Sequence, residues 1–569
     1  MRQLLLAGGL GGLVLGWNMP NHYPLWTSFH GELAAVVALS LLFGGLSWPA
    51  STTAATTRVA FGLSTSARLW LVLAAIPVLQ YAAGMLAFRG DAALGLLYGL
   101  GVVLALHVGR MWVAQVGFAQ AMRWLWTAFV FAALIAFGLA LAQWLRLPAA
   151  SWWAMELIES RPFANFAQPN HFGLAMVLGI VAGTALFELR ELRHRATLAL
   201  LFAAFGWGLL ISQSRASLLA LWLLALAWFA TRRRVATRLA WPDLLVALAV
   251  GSALYFAVPA IEEALYLRAA ELRSPVEVGP RELIWRHFAA AIAERPWLGY
   301  GFGQGVMALA EVATQVAPSR NTIYAHNVAL DLMTWVGVPL ALLLCLALAW
   351  WMLSWLRTGG VEAGLAAQRH LVFAAWLALA VQSMLEFPYA YTYFLLPAAL
   401  LAGAVGQAPP LAERSESTRF VSSRGVMALA ALAAALVGLL AYEYLQLEDD
   451  FRANRFERYR FINRPEHTSL EHPLVLDQLA ALNSSSHFEL RAGMPPEQIE
   501  QLHRLARRFH LLPTRIDYAK ALALNGRAAE AEHELRIIRS AYPPAQYERI
   551  ERDWRAWQQE HRDELTAPH

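Results

Sequence analysis

Cysteine is almost missing from this chain. Cys345 stands alone inside an apolar run, which excludes an internal disulfide framework and a thiolate metal cluster. Lysine is almost missing too: Lys520 is the one lysine, so the positive charge is carried by arginine. That bias reads as genome composition. Charged residues make up only 15% of 569 residues, well under the roughly 25% usual in soluble domains. The net charge of +5 is scattered along the segments between apolar runs, so nucleic-acid binding is not expected. What is abundant is apolar: 58% hydrophobic residues, with 23 Trp and 27 Phe, and a mean hydropathy of +0.43. So many apolar runs cannot hide in one aqueous core, which excludes a soluble enzyme. The aromatic content suits the two interfaces of a bilayer.

The expected fold is all-α, a polytopic membrane protein of about 13 transmembrane helices. The apolar runs place spans near 3–17, 33–49, 69–87, 92–112, 124–144, 171–189, 196–212, 216–230, 243–259, 329–352, 371–386, 389–406 and 426–444. Two of the divisions, around Gln213 and near Pro388, split longer apolar regions at a polar or proline-bearing point. Arg2 followed by an apolar run imitates a signal peptide, but no small-residue cleavage site follows. The run is therefore read as a retained first helix.

Arginine sets the orientation. Arg58 and Arg68, Arg190, Arg193 and Arg195, Arg232, Arg233, Arg234 and Arg238, Arg357 and Arg369, and Arg414, Arg419 and Arg424 all fall on the side of the N-terminus. That side is expected to be cytoplasmic. The opposite, extracytoplasmic face then receives residues 18–32, the turn at Arg89 to Asp91, the 145–170 loop, the turn at Ser214 and Arg215, the long 260–328 loop, the Glu386 turn and the C-terminal tail.

Two domains are expected. Residues 1–444 form a transmembrane domain with its large loop at 260–328, and residues 445–569 form a small helical domain outside the cytoplasm. In the loop, residues 281–295 show helical apolar spacing at Leu283, Ile284, Trp285, Phe288 and Ile292, and Pro296 ends the helix. A helix lying at the membrane surface fits that pattern. The glycine-rich turn Leu298–Gly303 lacks the strand and spacing of a nucleotide loop, so the glycines are read as allowing a tight path. In the tail, residues 516–538 read as helix, Asn525-Gly526 turn, helix, in the manner of a tetratricopeptide repeat. Such a domain could brace the membrane part or select a protein acceptor.

The polar residues that could carry chemistry gather on the extracytoplasmic face. His326, with Asn327, stands where Ser319–Leu340 passes from polar to apolar, at the mouth of a predicted long helix. A histidine there can exchange a proton near neutral pH; the alternative is a headgroup-level anchor or cap. Arg215, between two apolar runs, and Arg281, opening the surface helix, could share an anionic phosphate group through their rigid donor forks. Each alone would serve as a topology charge. Arg161 with Gln168, Asn170 and His171 forms a further patch, in which Asn170 is expected to cap the helix that follows, with Pro169 just outside it. The patch's amides could also donate hydrogen bonds to a glycan or phosphate. Glu386 could pair with an arginine or orient a histidine, and Glu32 is another candidate buried partner. Asp91 is read as a turn residue. No metal site is expected, because His326 and His171 have no ladder of nearby ligands.

These residues in order resemble a family. Asn21–Phe29 with Glu32, Pro77–Gln80 through Gly90-Asp91, Asn165–Asn170, Ser214-Arg215, Arg281 with Trp285, Pro296–Gly301, Tyr324–Asn327 with Gly337–Pro339, and Ser383–Pro388 with Glu386 are similar to segments of the O-antigen ligase and bacterial O-linked oligosaccharyltransferase superfamily. The likeness is nearest to the pilin-type protein-glycosylation ligases and runs from residue 18 to about 405, and more loosely through the C-terminal domain. It implies a lipid-sugar-transferase (GT-C-like) membrane fold in the bacterial inner membrane, with site and C-terminus facing the periplasm. The implied reaction is inverting and needs no metal or other cofactor. The donor is an oligosaccharide on undecaprenyl pyrophosphate, and the acceptor a Ser or Thr hydroxyl of an exported protein such as a type IV pilin. His326, Arg215 and Arg281 take the catalytic roles. Arg161, Gln168, Asn170, His171, Asn327, Glu386, Gln80 and Asp91 take donor or acceptor binding. Relatives often carry a histidine before the serine of the late motif, where this chain has Gln382, so the base role falls on His326. An O-antigen ligase acting on lipid A-core and an O-antigen polymerase share the implied donor. A transporter would need functional polar groups near mid-bilayer, and a scaffold would leave the membrane-edge arginines unexplained.

Overall fold

The computed structural model describes residues 1–48, 58–61, 64–147, 152–157, 161–231, 233, 235, 237–267, 281–316, 322–357, 363–406, 419–458, 470, 472–509 and 511–566. Residues 319–321 of the Ser319–Leu340 stretch, and Arg232, Arg234 and Arg414, lie outside them. The described chain is helical apart from a two-stranded antiparallel ribbon, β1 (Arg58–Phe61) and β2 (Arg419–Ser422), which pairs Arg58 with Ser422 and Phe61 with Arg419.

The helices run α1 (Arg2–Asn18), α2 (Phe29–Ser47), α3 (Thr65–Ala82), α4 (Arg89–Val116), α5 (Phe118–Trp144), α6 (Pro169–Glu188), α7 (Arg195–Ser212), α8 (Arg215–Thr231), α9 (Trp241–Ala264), α10 (Arg281–Glu294), α11 (Gly305–Val312), α12 (Val328–Val336), α13 (Val338–Ser354), α14 (Ala363–Ser383), α15 (Thr392–Val405) and α16 (Ser423–Arg458). The tail adds α17 (Asp477–Ser485), α18 (Pro496–Arg508), α19 (Leu512–Leu524), α20 (Ala528–Ala541), α21 (Pro544–Glu560) and α22 (Arg562–Thr566). Among the described residues nine helices, α2 to α7, α9, α14 and α16, are long and apolar enough to cross a membrane, and α8, α13 and α15 are shorter apolar helices. This is a multi-pass membrane protein.

Two readings of these elements need correction. The span expected at 329–352 is two helices, broken at Gly337. Its φ is +81°, a left-handed value that glycine adopts without a Cβ penalty. A Cβ there would stand 2.1 Å from the Trp297 carbonyl oxygen. The turn expected at Arg89 to Asp91 is instead the first turn of α4.

The chain forms two compact units. The first comprises 1–72, 98–277 and 347–439, the second 73–97, 278–346 and 440–569. In the first unit α6 is almost wholly enclosed, packed by α5, α7, α8 and α14. Backbone approaches are close where side chains are small. A Cβ on Gly109 of α4 would lie 2.1 Å from the Leu400 carbonyl oxygen of α15, and one on Gly403 would lie 2.1 Å from that of Leu106. In membranes such contacts replace the missing hydrophobic drive between helices. Buried Glu32 in the first turn of α2 accepts from Ser28 Oγ at 2.5 Å, Trp26 Nε1 at 3.0 Å and the Thr392 amide at 3.4 Å, and from the Tyr98 hydroxyl. It thereby joins α2, α4 and α15 inside the first unit.

In the second unit α10 forms as its apolar spacing predicts and buries Ile284, His287, Phe288 and Ala291. Its partners are α11 and α12. Ile284 and Phe288 meet Leu309 of α11 and Ala325 in one apolar cluster, with Trp285 and Leu330 packed against it. The Asn525-Gly526 turn joins α19 to α20, Gly526 having φ +76°. Met494, Leu502, Tyr518, Leu522, Ala531 and Trp554 form a core there.

Candidate active site

In the first unit the polar patch is built around Asn170. Helix α6 begins at Pro169, with Gln168 as its N-cap and no side-chain cap bond. Asn170 is therefore not the cap the sequence suggests, and Pro169 lies inside the helix at its first position, where a missing N–H costs nothing. Freed from capping, the Asn170 Nδ2 donates to Glu386 Oε1 at 2.7 Å, and Gln168 Nε2 donates to Glu386 Oε2 at 2.8 Å. Gln382 Nε2 donates to the Asn170 carbonyl at 3.0 Å, and Ser217 Oγ lies 3.3 Å from both that carbonyl and Gln382 Oε1. The buried guanidinium of Arg161 donates to the Ser212 carbonyl from Nε at 2.9 Å and from Nη2 at 2.8 Å. Arg161 thus grips the end of α7 just before Gln213, which closes that helix with φ +49°. Arg215 follows as the first residue of α8. His171 is 1% exposed, its ring set edge-on to Phe387, Tyr391 and Phe394 with centroids 4.9–5.8 Å apart.

Two amides that sequence reading missed hold the loop before α6. Gln143 Oε1 accepts from the Phe163 and Ala164 amides at 3.1 and 2.8 Å, while its Nε2 donates to the Met155 and Ala164 carbonyls. Asn165, quoted above only as part of a motif, donates to the Asn18 and Trp153 carbonyls. The only local signal for Gln143 was an amide at the end of an apolar span.

In the second unit His326 stands in the turn before α12. Its φ is +54°, uncommon for a residue with a Cβ. Asn327 caps α12, its Oδ1 accepting from the Ala329 and Leu330 amides at 3.0 and 3.1 Å. Gln80 at the end of α3 has both ends of its amide engaged by backbone: Nε2 donates to the Trp335 carbonyl and Oε1 accepts from the Phe302 amide, each at 2.8 Å. The glycine-rich turn runs against the end of α12, with the Tyr300 amide donating to the Thr334 carbonyl at 2.7 Å. Burial pushes the Tyr300 hydroxyl up to about 12, so it stays protonated and donates to the Ala291 carbonyl. Arg281 opens α10, one turn before Trp285. Asp91 is buried and receives three bonds of 2.7–2.9 Å from the Arg508 guanidinium.

Arg161, Gln168, Asn170, His171 and Glu386 therefore cluster in the first unit, to which Arg215 also belongs, and Arg281, His326, Asn327, Gln80 and Asp91 belong to the second. Among the described residues no group of three or more His, Cys, Asp or Glu could hold a metal ion.

The class defined by these features is a polytopic helical membrane protein with a helical tail. Comparison with known proteins narrows it. A family described as "O-Antigen ligase" matches residues 198–345, and one described as "Virulence factor membrane-bound polymerase, C-terminal" matches residues 371–556. The chain is similar to a "General O-oligosaccharyltransferase" of Acinetobacter baylyi, 29% identical over 76% of this chain and 75% of that one. It is also similar to a "ComP-specific O-oligosaccharyltransferase" of the same organism, 23% identical over 49% of this chain and 50% of that one. These matches make the chain similar to the O-antigen ligase and O-oligosaccharyltransferase superfamily.

Proposed function

We propose that this protein is an O-oligosaccharyltransferase of the bacterial inner membrane. It moves a preassembled glycan from undecaprenyl pyrophosphate to a Ser or Thr hydroxyl of an exported protein such as a type IV pilin, with its site and C-terminus in the periplasm. The observation that carries this reading is the similarity to a general O-oligosaccharyltransferase along three quarters of both chains. In the reaction, His326 takes the proton of the acceptor hydroxyl. The oxygen attacks the anomeric carbon from the face opposite the leaving group, the bond to the pyrophosphate oxygen breaks, and the sugar carbon inverts. The lipid pyrophosphate leaves with the bonding electron pair. Arg215 and Arg281 bind it and stabilise the charge that grows as the bond breaks, a task a divalent cation could otherwise perform. The patch around Asn170 and Glu386 shapes the donor or acceptor path.

The test is intact-protein mass spectrometry of an exported pilin, coexpressed with a lipid-linked glycan pathway and either this protein or its His326→Ala form. A glycan-sized increment is expected with the native chain and none with the variant at equal membrane levels. Full glycosylation by His326→Ala would remove the base assignment. O-antigen appearing on lipopolysaccharide with the pilin unmodified would replace this reading by a ligase acting on lipid A-core. Lengthened lipid-linked glycan would replace it by a polymerase.

A further inference from the structure

The turn that carries His326 is fastened through its neighbour. Ala325 is fully buried, its methyl group in the apolar cluster of Ile284, Phe288 and Leu309. Both of its peptide groups are bound by side chains. The Ala325 amide donates to Asp331 Oδ1 at 2.9 Å, and the Ala325 carbonyl accepts from Trp285 Nε1 at 2.9 Å. Asp331 lies one turn inside α12 and is 0% exposed; Trp285 lies one turn inside α10. On the N-terminal side the segment is pressed against α11, since a Cβ on Gly305 would meet the Ile323 carbonyl oxygen at 2.4 Å. His326 follows directly in the left-handed region at φ +54°. A conformation of that kind is uncommon for a residue with a Cβ and persists only where the surroundings over-determine it.

We propose that Asp331 and Trp285 are positioning residues for His326, holding the Ala325 peptide groups so that the imidazole meets the acceptor hydroxyl in one orientation. The inference rests on the reading of His326 as the group that takes the acceptor proton. Trp285 has a second consequence. It lies four residues after Arg281 on the same face of α10, so the bond to Ala325 ties the helix that begins with Arg281 to the turn that carries His326. Helix α12 needs no such bond for its own start, because Asn327 already caps it. The Asp331–Ala325 bond instead fixes the residue before the histidine. Geometry of this kind acts on the reaction more than on binding, because proton transfer requires close alignment of donor and acceptor.

The experiment uses purified full-length protein, an undecaprenyl-pyrophosphate-linked oligosaccharide and an exported pilin, and measures kcat and both KM values alongside the thermal unfolding midpoint. Asp331→Leu and Trp285→Phe are expected to lower kcat by about tenfold or more, with both KM values within about twofold. Asp331→Asn, which keeps an acceptor oxygen at the same place, is expected to recover most of the loss. A folded Trp285→Phe with native kcat, or an Asp331→Asn as impaired as Asp331→Leu, overturns the proposal. If Asp331→Leu does not fold, Trp285→Phe decides alone, because it removes one N–H and keeps most of the ring packing. A native protein that transfers glycan to no acceptor overturns the transferase reading itself, and the positioning role falls with it.

Discussion

At the scale of single residues, amides and carboxylates in this protein are used mainly to hold backbone. Gln143, Asn165, Gln80 and Asp331 each bind peptide groups, Asp331 within its own turn and Gln80 more than two hundred positions away. Glu386 is held by two amides. The pairs Gln80–Trp335, Asn165–Asn18 and Asn170–Glu386 join residues far apart in sequence, and the nearer ones follow no helical or strand period, which is why the sequence displayed the polar residues but not their partners. Asn170 illustrates the limit. Asparagine before an apolar run is a good N-cap signal, but Pro169 already starts the helix and the Asn170 side chain turns to Glu386. His22 supplies a test at this scale. Its Nε2 lies 2.7 Å from the Asn165 carbonyl oxygen, and burial, with help from nearby His30, holds its pKa below the usual 6.5. The unfolded chain therefore binds this proton first as pH falls, and stability is lost from about 6.5 downward to the lower folded-state value. The unfolding midpoint of the native protein should drop between pH 7.5 and about 5.5 more steeply than that of His22→Gln. Equal slopes would show that His22 does not contribute.

At the scale of elements, the apolar runs foretold where helices stand better than how they break. The divisions at Gln213 and near Pro388 are real, and α10 lies where its spacing put it. Helix α11 went unseen because eight residues are too few to show a period in a long loop. Gly337 went unread because a lone glycine in an apolar run is ordinary in membrane helices. Only the approach of the Trp297 carbonyl makes it a break. The same logic of backbone proximity governs the crossing of α4 and α15. Gly403→Ala places a methyl group against the Leu106 carbonyl, and the helices must separate to admit it. The expected cost is about 1–3 kcal/mol, read as a lowered unfolding midpoint in detergent. Gly138→Ala on α5, where a Cβ meets nothing within 4 Å, should be neutral or slightly stabilising. A Gly403→Ala protein as stable as Gly138→Ala would show that the crossing tolerates expansion.

At the scale of the whole molecule, the change of composition after residue 445 was plain in the sequence, and so was the Asn525-Gly526 helical hairpin. What composition could not reveal is the company these residues keep. Residues 440–569 form one compact unit with 73–97 and 278–346. The links are ionic and specific. Arg508 of α18 grips buried Asp91 at the start of α4, Asp477 accepts from the Gly90 amide at 2.8 Å, and Arg507 and Arg295 converge on Glu311 at 2.9–3.0 Å. Charge pairing between residues hundreds of positions apart leaves no periodic trace, so Asp91 read as a turn residue or a ligand contact. Burial of its carboxylate makes the Arg508 pair the one whose loss should matter most. Exposed pairs contribute little, whereas removing one partner of a buried pair leaves the other charge uncompensated, at a cost of roughly 3–5 kcal/mol. Arg508→Ala is therefore expected to lower the unfolding midpoint and to open the tail to limited proteolysis. Arg527→Ala, which breaks an exposed pair with Glu530, should do neither. Restoring stability to Arg508→Ala by adding Asp91→Asn would identify the stranded carboxylate as the cause. If Arg508→Ala resists the protease as well as the native chain does, the tail is held to this unit by its apolar contacts and not by the Asp91 pair.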